Sequence, residues 1–230
     1  MTNPNATHIT LIADRTGSMR SILSDAEGAI NAFLDDQRKL PDQCSLLLVD
    51  FDDQDPFRTV YDGQIQDSVE YKLVPRGNTP LRDAVGKGIV VTGERLAALS
   101  EDERPGKVIF VVQTDGFENA SREYTQEQVN AMINEQTDKW GWTFVFMASG
   151  PAAWGASQAY AGTQMGQNVH RSSGSAKGMT VSTAHLSDTI GAVRGGDVAV
   201  AAAFAGPVDI DDDGTVTETP DPKVKTRTLP

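Results

Sequence analysis

The apolar residues of this chain fall into two patterns that take turns along it: short unbroken runs, and longer stretches in which they recur at helical spacing. Thr7 to Ala13 (THITLIA) is a β-branched run that stops abruptly at Asp14-Arg15-Thr16-Gly17-Ser18, which predicts a buried strand entering a polar loop. From Ser21 to Leu40, the positions Ile22, Ala26, Ala29, Ile30, Phe33 and Leu34 keep helical spacing and Pro41 closes the segment, so a helix is predicted next. Cys44 to Phe51 and Phe57 to Tyr61 read as two strands of a hairpin, joined by the acidic turn Asp52-Asp53-Gln54-Asp55-Pro56. Thr79-Pro80 has the form of a helix N-cap with proline at the first helical position, and that helix is predicted to run to about Leu99.

Pro105-Gly106 introduces Lys107 to Thr114 (KVIFVVQT), the clearest buried strand, which ends in a second acidic loop, Asp115-Gly116-Phe117-Glu118-Asn119. Thr125 to Trp140 reads as a helix, Trp142 to Ala148 as a strand and Ser175 to Val193 as a weaker helix, while Pro151 to Ser175, rich in Gly, Ala, Ser and Gln, is placed only loosely. The alternation predicts an α/β fold: a doubly wound, mostly parallel, Rossmann-like sheet with helices on both faces and one antiparallel edge strand. Residues 1–200 are expected to form this domain. From Gly206 the composition turns to Asp, Thr and Pro with little to bury, so residues 201–230 are expected to be an acidic tail, mobile or ordered by a partner.

A length of 230 residues suits one such domain with a tail, and 39% apolar and 23% charged residues are near the globular norm. Twenty basic against thirty-two acidic side chains give a net charge of -12, a field that repels phosphate backbones, so no nucleic-acid partner is expected. A cation or a basic surface would be welcome, although excess acid also serves solubility. The single cysteine, Cys44, lies in an apolar run, which predicts a buried thiol and excludes a disulfide within the chain. The first residues show no basic stretch leading into an apolar one, and nowhere do enough apolar residues run together to span a membrane, so a cytoplasmic location is expected.

In open sheets of this kind ligands gather at the carboxyl ends of strands where the winding reverses. Asp14 and Asp115 each come directly after a predicted strand, and if those strands are neighbours at the reversal their carboxylates face one another. A bare carboxylate pair repels, and a bound cation or a shared proton relieves it. Thr16 and Ser18 add hydroxyls from the same loop, at i+2 and i+4 from Asp14, with Gly17 allowing a tight turn. Hydroxyls with one or two carboxylates suit Mg2+ better than zinc, because Mg2+ prefers hard oxygen ligands and retains several waters.

Asp14-Arg15-Thr16-Gly17-Ser18-Met19, then Gly77-Asn78-Thr79-Pro80-Leu81, then Thr114-Asp115-Gly116, in that order, resemble the three parts of the metal-ion-dependent adhesion site (MIDAS) of von Willebrand factor A domains. The likeness covers residues 7 to 150 and is similar to the small stand-alone bacterial and phage members. In that family the first loop reads Asp-x-Ser-x-Ser, the second supplies a threonine and the third an aspartate. The resemblance therefore implies metal-ligand roles for Asp14, Thr16, Ser18, Thr79 and Asp115, with Mg2+ bound and Mn2+ or Ca2+ as substitutes. Thr16 stands where the family's first serine usually does, which keeps the hydroxyl and adds a methyl.

The resemblance further implies a protein-interaction module, not an enzyme, in which the cation accepts an Asp or Glu carboxylate from a partner protein. A MoxR-type AAA+ ATPase, a phage structural protein and a second copy of this chain are the candidate partners, in the cytoplasm or a phage particle. The competing reading is a Mg2+-dependent phosphatase-like hydrolase with Asp14 as nucleophile; such enzymes need a second aspartate where this chain has Thr16, so the general acid is missing. A structural module with an empty site is the third.

Other motifs carry less. Asp14-Arg15-Thr16-Gly17-Ser18 has an arginine inside what would be an aspartic-protease loop and no second such loop to form the dyad. No nucleotide-binding glycine fingerprint comes after a strand, and Gly86 and Gly88 lie inside a predicted helix, where they serve packing. Gly155 to Ala159 is a near miss for a hydrolase elbow. His8, His170 and His185 show no ligand or triad spacing. Asp209 to Val216 fits the first half of an EF-hand loop, but Pro220 stands where the bidentate glutamate belongs.

Overall fold

The computed structural model describes residues 2–204 and 206–218, threaded by one eight-stranded sheet. In chain order the elements are β1 (Asn3–Asp14), a 3-10 turn (Gly17–Ile22), α1 (Leu23–Arg38), β2 (Gln43–Phe51), β3 (Arg58–Gln64), α2 (Leu81–Ala97) and β4 (Pro105–Thr114). Then come α3 (Gln126–Trp140), β5 (Thr143–Ser149), α4 (Gly150–Ser157), α5 (Gln164–Gln167), β6 (Val169–Ser172), α6 (Ala176–Gly195), α7 (Val200–Ala203), β7 (Val208–Ile210) and β8 (Val216–Glu218). The strand order is β3-β2-β1-β4-β5-β6-β7-β8, parallel throughout except for the outermost pair at each edge. The expected doubly wound α/β sheet is present, with β3 as its antiparallel edge and a second antiparallel edge, β8, that the sequence pattern does not predict.

β1 lies between β2 and β4, with Ile9 opposite both Leu46 and Ile109, and both of its faces are covered, which explains its unbroken apolar run. Alternate residues serve alternate layers. Ile9, Leu11, Ile109, Val111 and Val145 pack with Ile30, Phe33 and Leu34 of α1 and Leu186 and Ile190 of α6. Ile12, Val49, Phe110, Val112, Phe144 and Phe146 pack on the other face with Ala84, Val85 and Ile89 of α2 and Val129 and Ile133 of α3. Cys44 is buried in the first layer, and burial pushes its thiol up to about 12, so it is a packing residue. Gly88 serves packing as expected: a Cβ there would come within 2.9 Å of Phe110 and 3.0 Å of Ile12, so only glycine lets α2 lie this close to the sheet.

Thr79 does not cap α2: the cap position is Pro80, with no side-chain cap bond, and the first-turn amides of Arg82 and Asp83 donate instead to Glu118 Oε2 (2.9 Å) and Ser121 Oγ (3.1 Å). The loop after β4 thus supplies the cap, which frees the Thr79 hydroxyl. The loosely placed stretch 151–175 contains α4, α5 and β6, short elements whose periods are too brief to read from spacing.

The segment from Gly206, expected from its composition to be a tail, contributes β7 and β8 to the sheet. Val208 and Ile210 turn inward while Asp209 between them pairs with Arg171 of β6 (2.6 and 2.9 Å), an alternation hidden in acidic composition. The acidic run that fits half of an EF-hand loop is the β7–β8 turn, where Asp211 Oδ1 accepts from the amides of Asp213 (3.2 Å) and Thr215 (2.9 Å). Pro220 and the rest of 219–230 lie outside the described residues.

Asp83 of α2 answers the loop that caps its helix. Its buried carboxylate accepts from the amides of Arg122 (2.7 Å), Glu123 (3.0 Å) and Tyr124 (3.0 Å). Asp83→Ala is expected to lower stability by about 1 to 2 kcal/mol, the cost of leaving three partly buried amide donors unmet, seen in urea denaturation as a lower midpoint at unchanged slope.

Candidate metal site

β1 and β4 are parallel neighbours at the point where the winding reverses, so the loops leaving them start side by side. Asp14 closes β1, and Asp115 comes just after Thr114, the last residue of β4. Asp14 is 1% exposed; its Oδ1 accepts from the Thr16 amide (2.7 Å) and its Oδ2 from the Thr114 hydroxyl (2.6 Å). Above it runs a line of oxygens: Thr79 Oγ1 lies 3.2 Å from Thr16 Oγ1, which lies 3.3 Å from Ser18 Oγ, which donates to Asp115 Oδ1 at 2.6 Å. All of the residues singled out in the sequence, Asp14, Thr16, Ser18, Thr79 and Asp115, are thus brought together.

Backbone geometry sets this line. The turn expected of Gly17 is made across the loops: the Gly17 amide donates to the Gly77 carbonyl (3.0 Å), and Gly77, at φ +69, is the glycine that needs its conformational freedom. Thr79 is held by its amide, which donates to Asn119 Oδ1 (2.8 Å), so the second and third loops are tied as well. A Cβ on Gly116 would sit 3.6 Å from Ser18 Oγ and 3.7 Å from Thr79 Oγ1, so glycine keeps the space beside these hydroxyls clear. Among the described residues no three His, Cys, Asp or Glu side chains gather as a metal would need, so any cation here relies on hydroxyls beside the two carboxylates. An all-oxygen set of this kind fits a hard divalent cation.

Arg15, an intruder in the first loop when only the sequence is considered, has a structural role. Its buried guanidinium pairs with Asp50 (3.3 Å) and Asp52 (2.9 Å) at the end of β2, and Asp52 also accepts from Arg76 Nε (2.6 Å). The Arg76 amide in turn donates to the Arg15 carbonyl (2.9 Å). Asp52 therefore ties the loop carrying Thr16 and Ser18 to the one carrying Thr79. Burial alone would raise the Asp52 carboxyl, but the hydrogen bonds from Arg76 and the amides of Asp55 and Gln54, with the charge of Arg15, hold it below the usual range. The available signal is the acidic end of β2, which a hairpin explains equally well as a turn.

Beside Asp115 stands an aromatic rim. Phe117 is 54% exposed and rests on Gly155 of α4, where a Cβ would come within 2.6 Å of its ring. The neighbouring Trp154, also exposed, donates from its indole to the Ser172 carbonyl (3.0 Å).

No family model and no curated protein matches this sequence. Solved structures do. The pilus adhesin SpaC from Lactobacillus rhamnosus GG, in an open conformation, matches with TM-score 0.60 at 12% identity, covering 83% of this chain and 30% of that one. Proximal thread matrix protein 1 from the mussel byssus matches with TM-score 0.56 at 13% identity over 84% of this chain and 48% of that one. A von Willebrand factor type A protein from Catenulispora acidiphila matches with TM-score 0.54 at 14% identity over 82% and 42%. A further structure of the mussel protein has a zinc occupied MIDAS motif (TM-score 0.52, 15% identity, 84% of this chain and 45% of that one). The chain spans less than half the length of each of these proteins, and the fold it shares with them is von Willebrand factor A-like.

Burial is the main reason the Asp14 carboxyl is pushed up to about 6; hydrogen bonds from Thr114 and Thr16 oppose the shift and the charge of Asp115 adds to it. Burial raises Asp115 too, against the hydrogen bond from Ser18. An acid whose folded value lies above its unfolded one binds its proton more tightly when folded. Its contribution to stability is full below the unfolded value near 4 and is lost as pH rises through about 6. In EDTA, Asp14→Asn, which cannot ionise, should gain on the unsubstituted protein between pH 4.5 and 7.5, by at most about 3 kcal/mol for a shift of about two units. Calorimetric melting at the two pH values checks this, and a stability difference that does not change with pH counts against it.

Proposed function

We propose that this von Willebrand factor A-like domain is a protein-interaction module whose binding surface is built around a divalent cation, Mg2+, held by Asp14, Thr16, Ser18, Thr79 and Asp115. The observation that carries the reading is the line of hydroxyls from Thr79 through Thr16 and Ser18 to Asp115, set over a buried carboxylate where the sheet's winding reverses. The bonds these oxygens make to one another are the ones a hard cation would replace. Supporting it, the structures that share the fold include an adhesin and a matrix protein, the latter with zinc occupied MIDAS motif in one form.

In this reading the ion's remaining place takes an Asp or Glu carboxylate from a partner. Asp14 and Asp115 offset much of the ion's charge, and the Asp52 ties to Arg15 and Arg76 hold the two hydroxyl loops at a fixed spacing. No helix among the described residues is long and apolar enough to cross a membrane. We place the protein in the cytoplasm or in a phage particle, with a MoxR-type ATPase, a phage structural protein or a second copy of this chain as the partner.

Mg2+ titration by calorimetry should give one ion per chain, with affinity at least tenfold weaker in Thr79→Ala and no measurable heat in Asp14→Ala, while Asp52→Asn weakens it without touching a ligand. Proteins that co-purify with the tagged chain should be released by EDTA and missing from the Asp14→Ala preparation; partners that remain under both conditions would sink the metal-bridged reading.

A further inference from the structure

We propose that the oxygen site and the aromatic pair beside it, Phe117 and Trp154, form one docking surface for an extended acidic segment of a partner protein. The segment's Asp or Glu carboxylate lies over Ser18 and Asp115, and a large apolar side chain two or three residues from that acid rests on the two rings. This depends on the cation reading of the same site, to which it adds what the partner carries beside its carboxylate. The two features are continuous. Ser18, the exposed end of the hydroxyl line, donates to Asp115, and Phe117 comes two residues later in the same loop. Two extended residues cover about 7 Å, which sets the spacing expected between the partner's acid and its apolar side chain.

Of the eight phenylalanines, Phe117 alone is exposed; Phe57 is half-buried and the others are buried. One exposed apolar side chain is ordinary on a protein surface, but this ring is seated. It lies on Gly155, where a Cβ would come within 2.6 Å of it, and the adjoining Trp154 is exposed as well. The indole N–H of Trp154 is already given to the Ser172 carbonyl, so what that ring turns to solvent is apolar. Rings fixed in advance lose little freedom when a partner covers them, which makes them effective anchors. Charge favours an acidic segment. A chain of net charge -12 repels acidic partners in general, yet Arg20, two residues past Ser18, is exposed and reaches only the Pro75 carbonyl (3.4 Å), with no carboxylate paired to it among the described residues. An unpaired guanidinium beside the site marks where an acid is admitted and steers its approach.

The probe is a set of short acetylated peptides with one central Glu in a Gly-Ser background and a single Phe, Leu, Lys or Ser at each other position in turn, titrated against the full-length protein in Mg2+. Peptides with Phe or Leu two or three residues from the acid are expected to bind about tenfold tighter than those with Ser there, from the apolar surface covered. That preference should vanish in Phe117→Ser and also in Gly155→Ala, whose methyl lifts the ring from its seat without altering the third loop. Arg20→Gln should weaken all the acidic peptides alike, by about threefold. Calorimetry with Mg2+ alone verifies the oxygen site in each variant, since none of these residues supplies it with a ligand. Mg2+ bound with no peptide held, with peptides held equally whatever stands beside the acid, or with a preference that survives both Phe117→Ser and Gly155→Ala, overturns this inference and leaves the proposed function standing. Absence of Mg2+ binding overturns both. Self-association in Mg2+ that Phe117→Ser abolishes would seat a second copy of the chain on the rings and overturn the assignment to a partner protein.

Discussion

Pairing between β1 and β4 decides where everything polar in the candidate site must go. The two strands are central, parallel and buried on both faces, so neither can end in an apolar loop without the chain running on through the core. Both emerge at the same rim, and each sheds its polar residues there at once: Asp14 closes one strand and Asp115 comes just after the other. Strand pairing thus produces the carboxylate proximity, and the desolvation that raises Asp14 is the cost of placing it at the end of so well covered a strand. Hydrogen bonds from Thr114 and Thr16 soften that cost without removing it, a condition in which a nearby cation would be favoured.

A second constraint keeps the rim in shape. Loops of this length would ordinarily be the mobile part of an α/β domain, but Arg15 is drawn beneath its own loop onto Asp50 and Asp52, and Asp52 holds Arg76 from the next. Asp50 also takes Arg58 of β3 and lies 3.4 Å from the Tyr71 hydroxyl, so the network reaches from the sheet edge to the site. Buried ion pairs add little net stability, since desolvation consumes most of the attraction; what they fix is geometry. On the opposite side, Glu118, Ser121 and Asp83 bind the third loop to α2 by exchanged backbone caps.

Much of this is legible in the sequence, for identifiable reasons. The central strands and α1, α2, α3 and α6 each run long enough for their period to show, and Asp14, Thr16, Ser18, Thr79 and Asp115 sit in three loops whose order along the chain carries the resemblance. The role of Arg15 is hidden because its partners lie on another strand, and no local pattern announces a pairing that only the β1–β2 register creates. Thr79 looks like a cap because Thr-Pro is a good cap signal; the real cap arrives from residues 118–121, distant in sequence. The short strands β7 and β8 escape because each offers only three residues, and acidic composition outweighs the alternation of Val208 and Ile210.

The aromatic rim has a practical corollary. Trp154 is anchored by its indole to the Ser172 carbonyl, and the ring of Phe117, two residues from Asp115, lies on the adjoining Gly155. A rearrangement of the third loop that moved that ring would lift it from Gly155, the residue next to the one that carries the indole. Trp140 and Trp142 line a pocket with Thr2 and Pro105, at the end of β4 opposite Asp115, so they stay dark to such an event. The chain therefore carries its own optical reporter, readable as a shift in emission without any label.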